Sequence, residues 1–312
     1  MQESEFRVAA RDGTSIFVRA FLERATATET PRAIVLISHG MAEHGARYAR
    51  LAAILTAHHY AVYVPDHRGH GHTPASSADL GHYADDDGWE KVVSDLHEVL
   101  DAAKARHPGV PVFLLGHSMG SYIARGLAFR RGDALAGLLL SGTTHDHPLA
   151  YQAPRVIVAA ERARLGKRGK SAIVKKLTFD AFNKRFEPAR TPCDWLSRDP
   201  AEVDKYVNDP LCGFECTTQL WWDLLGGMVE MCTPRNVARM PKTLPIYVLA
   251  GERDPVNNRL AGIRKLQAAL ETAGIESVTC RVYPGARHEL LNETNRDEIT
   301  KDLVAWLDSQ LT

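Results

Sequence analysis

Charge of either sign is not in excess in this chain: its 312 residues carry 38 Lys and Arg against 38 Asp and Glu. With no net field, and no basic cluster alternating with aromatics, the electrostatic footprint of a nucleic-acid-binding protein is missing. No stretch reaches the roughly 18 consecutive apolar residues of a membrane span. Residues 1–13 are polar and mixed in charge, without the apolar centre of an export signal. A soluble, cytoplasmic protein is expected. Cysteine is sparse and odd in number: Cys193, Cys212, Cys216, Cys232 and Cys280 include no C-x-x-C pair. That excludes a disulfide framework and a zinc site of the usual spacing, and the thiols read as buried and reduced.

What is present is alternation. Arg11-Asp12-Gly13-Thr14 separates the β-rich runs 6–9 and 16–22, an Asp-Gly turn in an antiparallel hairpin. Buried strands are then expected at 33–37, 61–64, 110–115, 135–140, 246–249 and 278–282. Helical patterns lie between them, at 48–58, after residue 118 and at 260–270. Trp89, Val92, Val93, Leu96, Val99, Leu100 and Ala103 mark one face of a helix, as do Ile299, Leu303, Trp306 and Leu307. Such repeats imply an α/β fold, a mostly parallel sheet with helices on both faces. Residues 144–239 break the pattern, with helix-like pieces punctuated by Pro148, Pro154, Pro188, Pro192, Pro200, Pro210 and Pro234. The expected organisation is a core in two parts, 1–143 and 240–312, with a mainly helical cap inserted at 144–239.

Gly116-His117-Ser118-Met119-Gly120 joins the strand at 110–115 to a helical run, placing a serine at a strand-to-helix corner between two glycines. This is the shape of a nucleophile elbow: a hydroxyl is a poor nucleophile unless it projects from a tight turn where a histidine and substrate both reach it. In that fold the partners follow in the order acid, then histidine. Asp254 lies just past the strand at 246–249 and His288 just past the strand at 278–282, so both fall on the sheet edge that carries Ser118. Glu252 competes for the acid role but stands two residues nearer its strand and should point elsewhere. After the strand at 33–37 comes Ser38-His39-Gly40-Met41-Ala42-Glu43-His44-Gly45. The backbone N–H groups of Met41 and Met119 are the expected oxyanion donors, the second aided by the dipole of the helix it begins. His39, Glu43 and His44 lack H-E-x-x-H spacing, so no metal is expected, and no cofactor is needed. Asp66-His67-Arg68-Gly69-His70-Gly71-His72 reads as a loop made rigid by internal hydrogen bonds.

These motifs resemble the monoacylglycerol lipase and lysophospholipase group of the α/β-hydrolase superfamily, also labelled serine aminopeptidase S33. The resemblance rests on His39-Gly40-Met41-Ala42-Glu43-His44 with Arg47-Tyr48, Asp66-His67-Arg68-Gly69-His70-Gly71, the elbow, the Asp254 turn, and His288-Glu289 with Asn292-Glu293. It covers the core and much less of the cap. It implies Ser118 as nucleophile, Asp254 and His288 as its partners, Met41 and Met119 as oxyanion amides, and an ester substrate with its acyl chain under the cap. The chain departs from the family at Ala42 and Ser121, where glycine is common, and at Thr73, where serine is. Carboxylesterase, thioesterase, prolyl aminopeptidase and a non-catalytic binding protein are the alternatives. In the cap, Arg155, Arg162, Arg164, Lys167, Arg168, Lys170, Lys175 and Lys176 surround one acid, Glu161, among apolar residues. They read as a solvated helix face or as transient contact with an anionic lipid surface. Trp221-Trp222 with Leu224, Leu225 and Met228 are candidates for an acyl pocket or for cap-on-core packing.

Overall fold

The computed structural model describes residues 1–23 and 30–311. Eight strands form one sheet: β1 (Gln2–Ala9), β2 (Ser15–Leu22), β3 (Ala33–Ser38), β4 (Tyr60–Pro65), β5 (Val112–His117), β6 (Gly137–Ser141), β7 (Ile246–Gly251) and β8 (Val278–Tyr283). Their order is β1-β2-β4-β3-β5-β6-β7-β8, antiparallel at β1·β2 and β2·β4 and parallel elsewhere. The hairpin turns where expected, with Gly13 at φ 84°, a value glycine adopts at little cost. β5 starts two residues later than its apolar run suggests, because Pro111 has no N–H to give the ladder, and it continues through Gly116 and His117.

Side-chain alternation along the strands builds two cores. Ile34 and Leu36 of β3 and Val112 and Leu114 of β5 face one way, against α2 (Gly88–Arg106), α3 (Met119–Arg131) and α10 (Ala261–Thr272). Val35, Ile37, Phe113 and Leu115 face the other, against α1 (Ala49–Ala57) and α11 (Arg296–Ser309). A period of two in continuous apolar strands is what a doubly covered sheet requires. α1 is preceded by a 3₁₀ turn, Gly45–Tyr48, so the helix expected at 48–58 begins one residue later.

Between β6 and β7 lie α4 (Gln152–Leu165), α5 (Ala172–Lys175), α6 (Ala181–Asn183), α7 (Pro200–Asn208), α8 (Thr218–Cys232) and α9 (Pro234–Val237). Three of their starts are capped locally, that of α5 by Ser171 Oγ accepting the Val174 N–H at 3.2 Å. Asp199 accepts the Ala201 N–H at 3.0 Å with Pro200 in the first helical position, and Thr217 accepts the Leu220 N–H at 3.2 Å. α8 packs on α4 and on α2 and α3. Gly227 makes the contact with α2 possible, since a Cβ there would lie 2.2 Å from the Trp89 indole. Fully buried Arg125 of α3 ties both roots of this segment down: it donates to Thr144 O at 3.1 Å, to His145 Nδ1 at 2.8 Å and to Met231 O at 3.2 Å.

The five cysteines are unpaired; Cys212, Cys216 and Cys232 are buried, whereas Cys193 and Cys280 are only half-buried. Among the described residues, no helix is long and apolar enough to cross a membrane.

Candidate active site

The strand order prepares the site. β3 sits between β4 and β5, so the chain leaves β3 toward one side and β5 toward the other, opening a crevice at their carboxyl ends. Ser38 and Gly116 are paired in register there, which sets the loop after β3 beside the elbow.

Ser118 stands at φ 51°, ψ −121°, a conformation non-glycine residues seldom adopt and one that marks strained functional turns. The turn is held on both sides. The Ser118 N–H donates to Ser141 O at 2.9 Å, and its carbonyl accepts from Ser121 N at 2.9 Å and Ser121 Oγ at 2.6 Å. The departure at Ser121 therefore adds a bond to the elbow. Both flanking glycines are required by close approach. A Cβ at Gly116 would lie 2.6 Å from Gly120 O, and one at Gly120 would lie 2.0 Å from Ser38 O and 2.4 Å from His39 O.

The loop after β3 is fixed atom by atom. His39 Nε2 accepts the His67 N–H at 3.0 Å, so its proton sits on Nδ1, which donates to Gly40 O at 2.7 Å. Burial lowers the pKa of His39 despite the carboxylates of Glu43 and Asp66, in keeping with a neutral ring. The Gly40 N–H is committed to Glu43 Oε1 at 2.5 Å, which leaves the next amide, that of Met41, for a ligand. Met41, Ser118 and Met119 line one cavity. Ala42 stands at φ 54°, which explains why glycine suits this position.

Asp254 and His288, both buried, meet with His288 Nδ1 donating to Asp254 Oδ1 at 3.0 Å; the same oxygen accepts the Val256 N–H at 2.9 Å. Burial opposes protonation of His288, but the Asp254 carboxylate, with Glu289 and Glu43 behind it, outweighs burial and raises its pKa above 6.5. Glu252 points away, accepting the Gly285 N–H at 2.8 Å. The His117 and His288 rings lie 4.9 Å apart, and the Trp195 ring lies 4.9 Å from His288 on another side. Ser118 and His288 both neighbour His117: a Cβ at Gly40 would lie 3.1 Å from its ring and 3.3 Å from Ser118 Cβ, and one at Gly142 would lie 3.0 Å from it and 2.8 Å from His288 Cε1.

His39, Glu43 and His44 have separate partners. Glu43 bonds Gly40, Arg47 and Tyr48, whereas His44 Nε2 pairs with Asp209 Oδ2 at 2.9 Å. His70 Nδ1 donates to Arg68 O at 3.0 Å and the His72 N–H to Asp66 Oδ2 at 2.8 Å, the internal bonding expected of that loop, whereas His67 reaches out of it to Ser38 Oγ at 2.9 Å. Trp195, from the inserted segment, escapes sequence reasoning, whereas Arg47 and Glu289 enter it only as parts of the resembling motifs, with no role assigned and no sign that they are bonded to each other.

The cavity has a volume of about 520 Å³ and an apolar lining. Trp221, Leu224, Leu225 and Met228 of α8 contribute to it, but Trp222 does not; its ring carries the Arg155 guanidinium at 3.9 Å instead.

This sheet, this elbow and the loops around it define an α/β-hydrolase. Residues 29–295 match the family model described as serine aminopeptidase, S33, and the chain belongs to that family. It is 28% identical over 295 residues to a monoacylglycerol lipase of Mycolicibacterium smegmatis, covering 94% of each chain. It is 32% identical to the monoglyceride lipase of Homo sapiens, over 90% of this chain and 82% of the human one. Among solved structures, a thermostable carboxyl esterase from Bacillus coagulans in complex with glycerol superposes with a TM-score of 0.90 at 27% identity, covering 100% of both chains.

Proposed function

We propose that this protein is a carboxylic ester hydrolase acting on lipid esters of the monoacylglycerol type. In this reading Ser118 attacks the ester carbonyl while His288 Nε2 takes its proton and then returns it to the leaving alcohol. Asp254 fixes the imidazole tautomer and stabilises the imidazolium, and water frees the acyl enzyme by the same steps in reverse order. The Met41 and Met119 amides hold the oxyanion, each worth about 2.7–4 kcal/mol in sites of this kind. The observation that carries the reading is the buried Asp254–His288 pair at 3.0 Å, beside a strained serine that lines an apolar cavity. The names of the relatives supply the substrate class, and the cavity lining suits an acyl chain. Residues 144–239 act as the cap, bringing Trp221 and Leu224 over the acyl group.

A panel of p-nitrophenyl esters of rising chain length, with monoacylglycerol, a thioester and a prolyl-arylamide, tests the substrate. Hydrolysis of monoacylglycerol and long-chain esters is expected, and preference for the arylamide would overturn it. Ser118→Ala should abolish turnover with the fold intact; retained hydrolysis would refute the assignment.

We also infer transient contact with lipid surfaces. Leu149, Val156, Ile157, Ile173 and Leu177 are exposed, and Ile157 and Leu177 also line the cavity. Four of the surrounding cations are already paired, Arg164 with Glu161, Lys167 with Asp86, Arg168 with Asp79 and Lys175 with Asp180. Contact is therefore apolar more than electrostatic. Sedimentation with neutral vesicles should match that with anionic ones, and no binding to either would end the idea. The unpaired thiols suit a reducing compartment, so we read the cytoplasm as the place of action.

A further inference from the structure

Behind the elbow lies a buried cluster that the steps above do not use. Arg47 donates to Glu43 Oε2 at 2.6 Å and reaches Glu289 through two bonds of 2.7 Å, a fork-to-fork pair. Side-chain exposure is 10% for Arg47, 4% for Glu43 and 6% for Glu289. The far ends of both acids are also occupied. Glu43 Oε1 takes the Gly40 N–H and, at 3.0 Å, the Tyr48 hydroxyl, while Glu289 Oε2 accepts from Asn292 Nδ2 at 2.9 Å. The Arg47 guanidinium lies over the Tyr206 ring at 4.9 Å.

Two consequences follow from this wiring. Gly40 precedes Met41 and Glu289 follows His288, so a single arginine joins the loop of the oxyanion amide to the loop of the base, 242 residues away in the chain. The trio also carries two negative charges and one positive, in a place where burial weakens screening. We propose that Arg47 is a positioning residue that locks these two loops together across Ser118, and that the unbalanced charge of Glu43 and Glu289 favours the imidazolium form of His288 in the transition state. The inference rests on His288 being the base, as proposed above.

Charged groups reach His288 from three loops. Asp254 bonds it from the loop after β7, Glu289 adjoins it, and Glu43 acts from the loop after β3. His117 faces it from the elbow but is held neutral by burial and by His288 itself, its pKa lowered to about 4. Trp195 contributes an uncharged ring. Arg47 holds both acids ionised, for burial alone would raise Glu43 and Glu289, and both are lowered.

The signs make the idea testable in the full chain by steady-state hydrolysis of a p-nitrophenyl ester across pH. Glu289→Gln and Glu43→Gln keep shape and remove negative charge, so each should shift the acid limb of kcat/KM to lower pH. They should also reduce plateau kcat about threefold or more, with KM nearly unchanged. Arg47→Met removes the cation that keeps both acids ionised, so burial and their mutual repulsion drive proton uptake; its acid limb should not rise above that of the parent, while kcat falls through lost positioning. Arg47→Lys should return the limb close to that of the parent with kcat still reduced, since an ammonium keeps the charge but not the fork. Limbs that stay in place or move to higher pH in both glutamine variants, a limb moved to higher pH in Arg47→Met, or losses confined to KM, would overturn the proposal. If Arg47→Met fails to fold, the two glutamine variants decide by themselves, and an unmoved limb in both overturns it. Residual activity in Ser118→Ala would instead sink the proposed function, so the two failures are distinguishable.

Discussion

Gly120→Ala turns the geometry of the elbow into a number. In an exposed helix this exchange stabilises by about 0.5–1 kcal/mol, because alanine has less backbone entropy to lose. At position 120 the added Cβ would lie 2.0 Å from Ser38 O, a backbone atom in a paired strand that cannot swing aside as a side-chain tip does. A tolerable contact is nearer 3.0 Å, so the start of α3 must retreat by about 1 Å from the loop after β3. Overpacking of this kind costs about 1–3 kcal/mol. The retreat also separates the Met119 amide from the Met41 amide, and a misplacement of about 1 Å in a reacting constellation costs about 10²-fold. Gly120→Ala should therefore lose about two orders of magnitude in kcat on a p-nitrophenyl ester, with little change in KM, and unfold at lower temperature. Gly226→Ala in α8 is the control, since its Cβ would meet nothing closer than 3.4 Å and should leave the protein unchanged or firmer. A Gly120→Ala protein with parental kcat and parental thermal stability would refute the claim that this close approach builds the oxyanion site.

The kcat/KM profile should fall tenfold per pH unit on its acid side, because His288 accepts a proton only when neutral. Its pKa is raised, so the midpoint should lie above 6.5, and a lower midpoint would contradict the charge arrangement around the ring. Asp254→Asn should reduce kcat by roughly 10⁴, the loss known for the corresponding change in the serine–histidine–aspartate template, and single-turnover kinetics would locate the loss in acyl transfer. Arg68 bonds Asp95 at 2.6 and 2.7 Å with side chains 4% and 3% exposed. Arg68→Met would strand a buried carboxyl whose pKa burial already raises, at a cost of about 3–5 kcal/mol measurable by urea unfolding. A loss below about 1 kcal/mol would place that pair with ordinary surface pairs.

Local rules carried much of the fold. Strands such as 246–251 and the helix 88–106 announce themselves by period, and the elbow by its glycines, because these depend on neighbours in the chain. The positions of Asp254 and His288 were legible for a related reason: each closes a βα unit whose strand is readable. The order β4-β3-β5 was not, since nothing local says which strands pair. Long-range polar chemistry was equally hidden. Arg47 and Glu289 lie 242 residues apart, and the basic stretch 155–176 looked short of acids only because Asp79 and Asp86 arrive from a distant loop. Composition left Trp222 open to either reading, pocket or packing, and its partner Arg155, distant in the chain, makes it a packing contact.

Arg125 has a consequence for anyone who would make chimeras of this hydrolase. Among the described residues its guanidinium has no carboxylate as a hydrogen-bond partner, and two of its partners are main-chain oxygens, one toward each end of the insert. A graft that changed side chains alone would keep those acceptors, whereas one that spliced in a foreign backbone at either junction would leave a cation stranded against α3. Exchange of lids between relatives should therefore succeed or fail on the path of the main chain at Thr144 and Met231, and recipients should be chosen by that path before any pocket residue is compared.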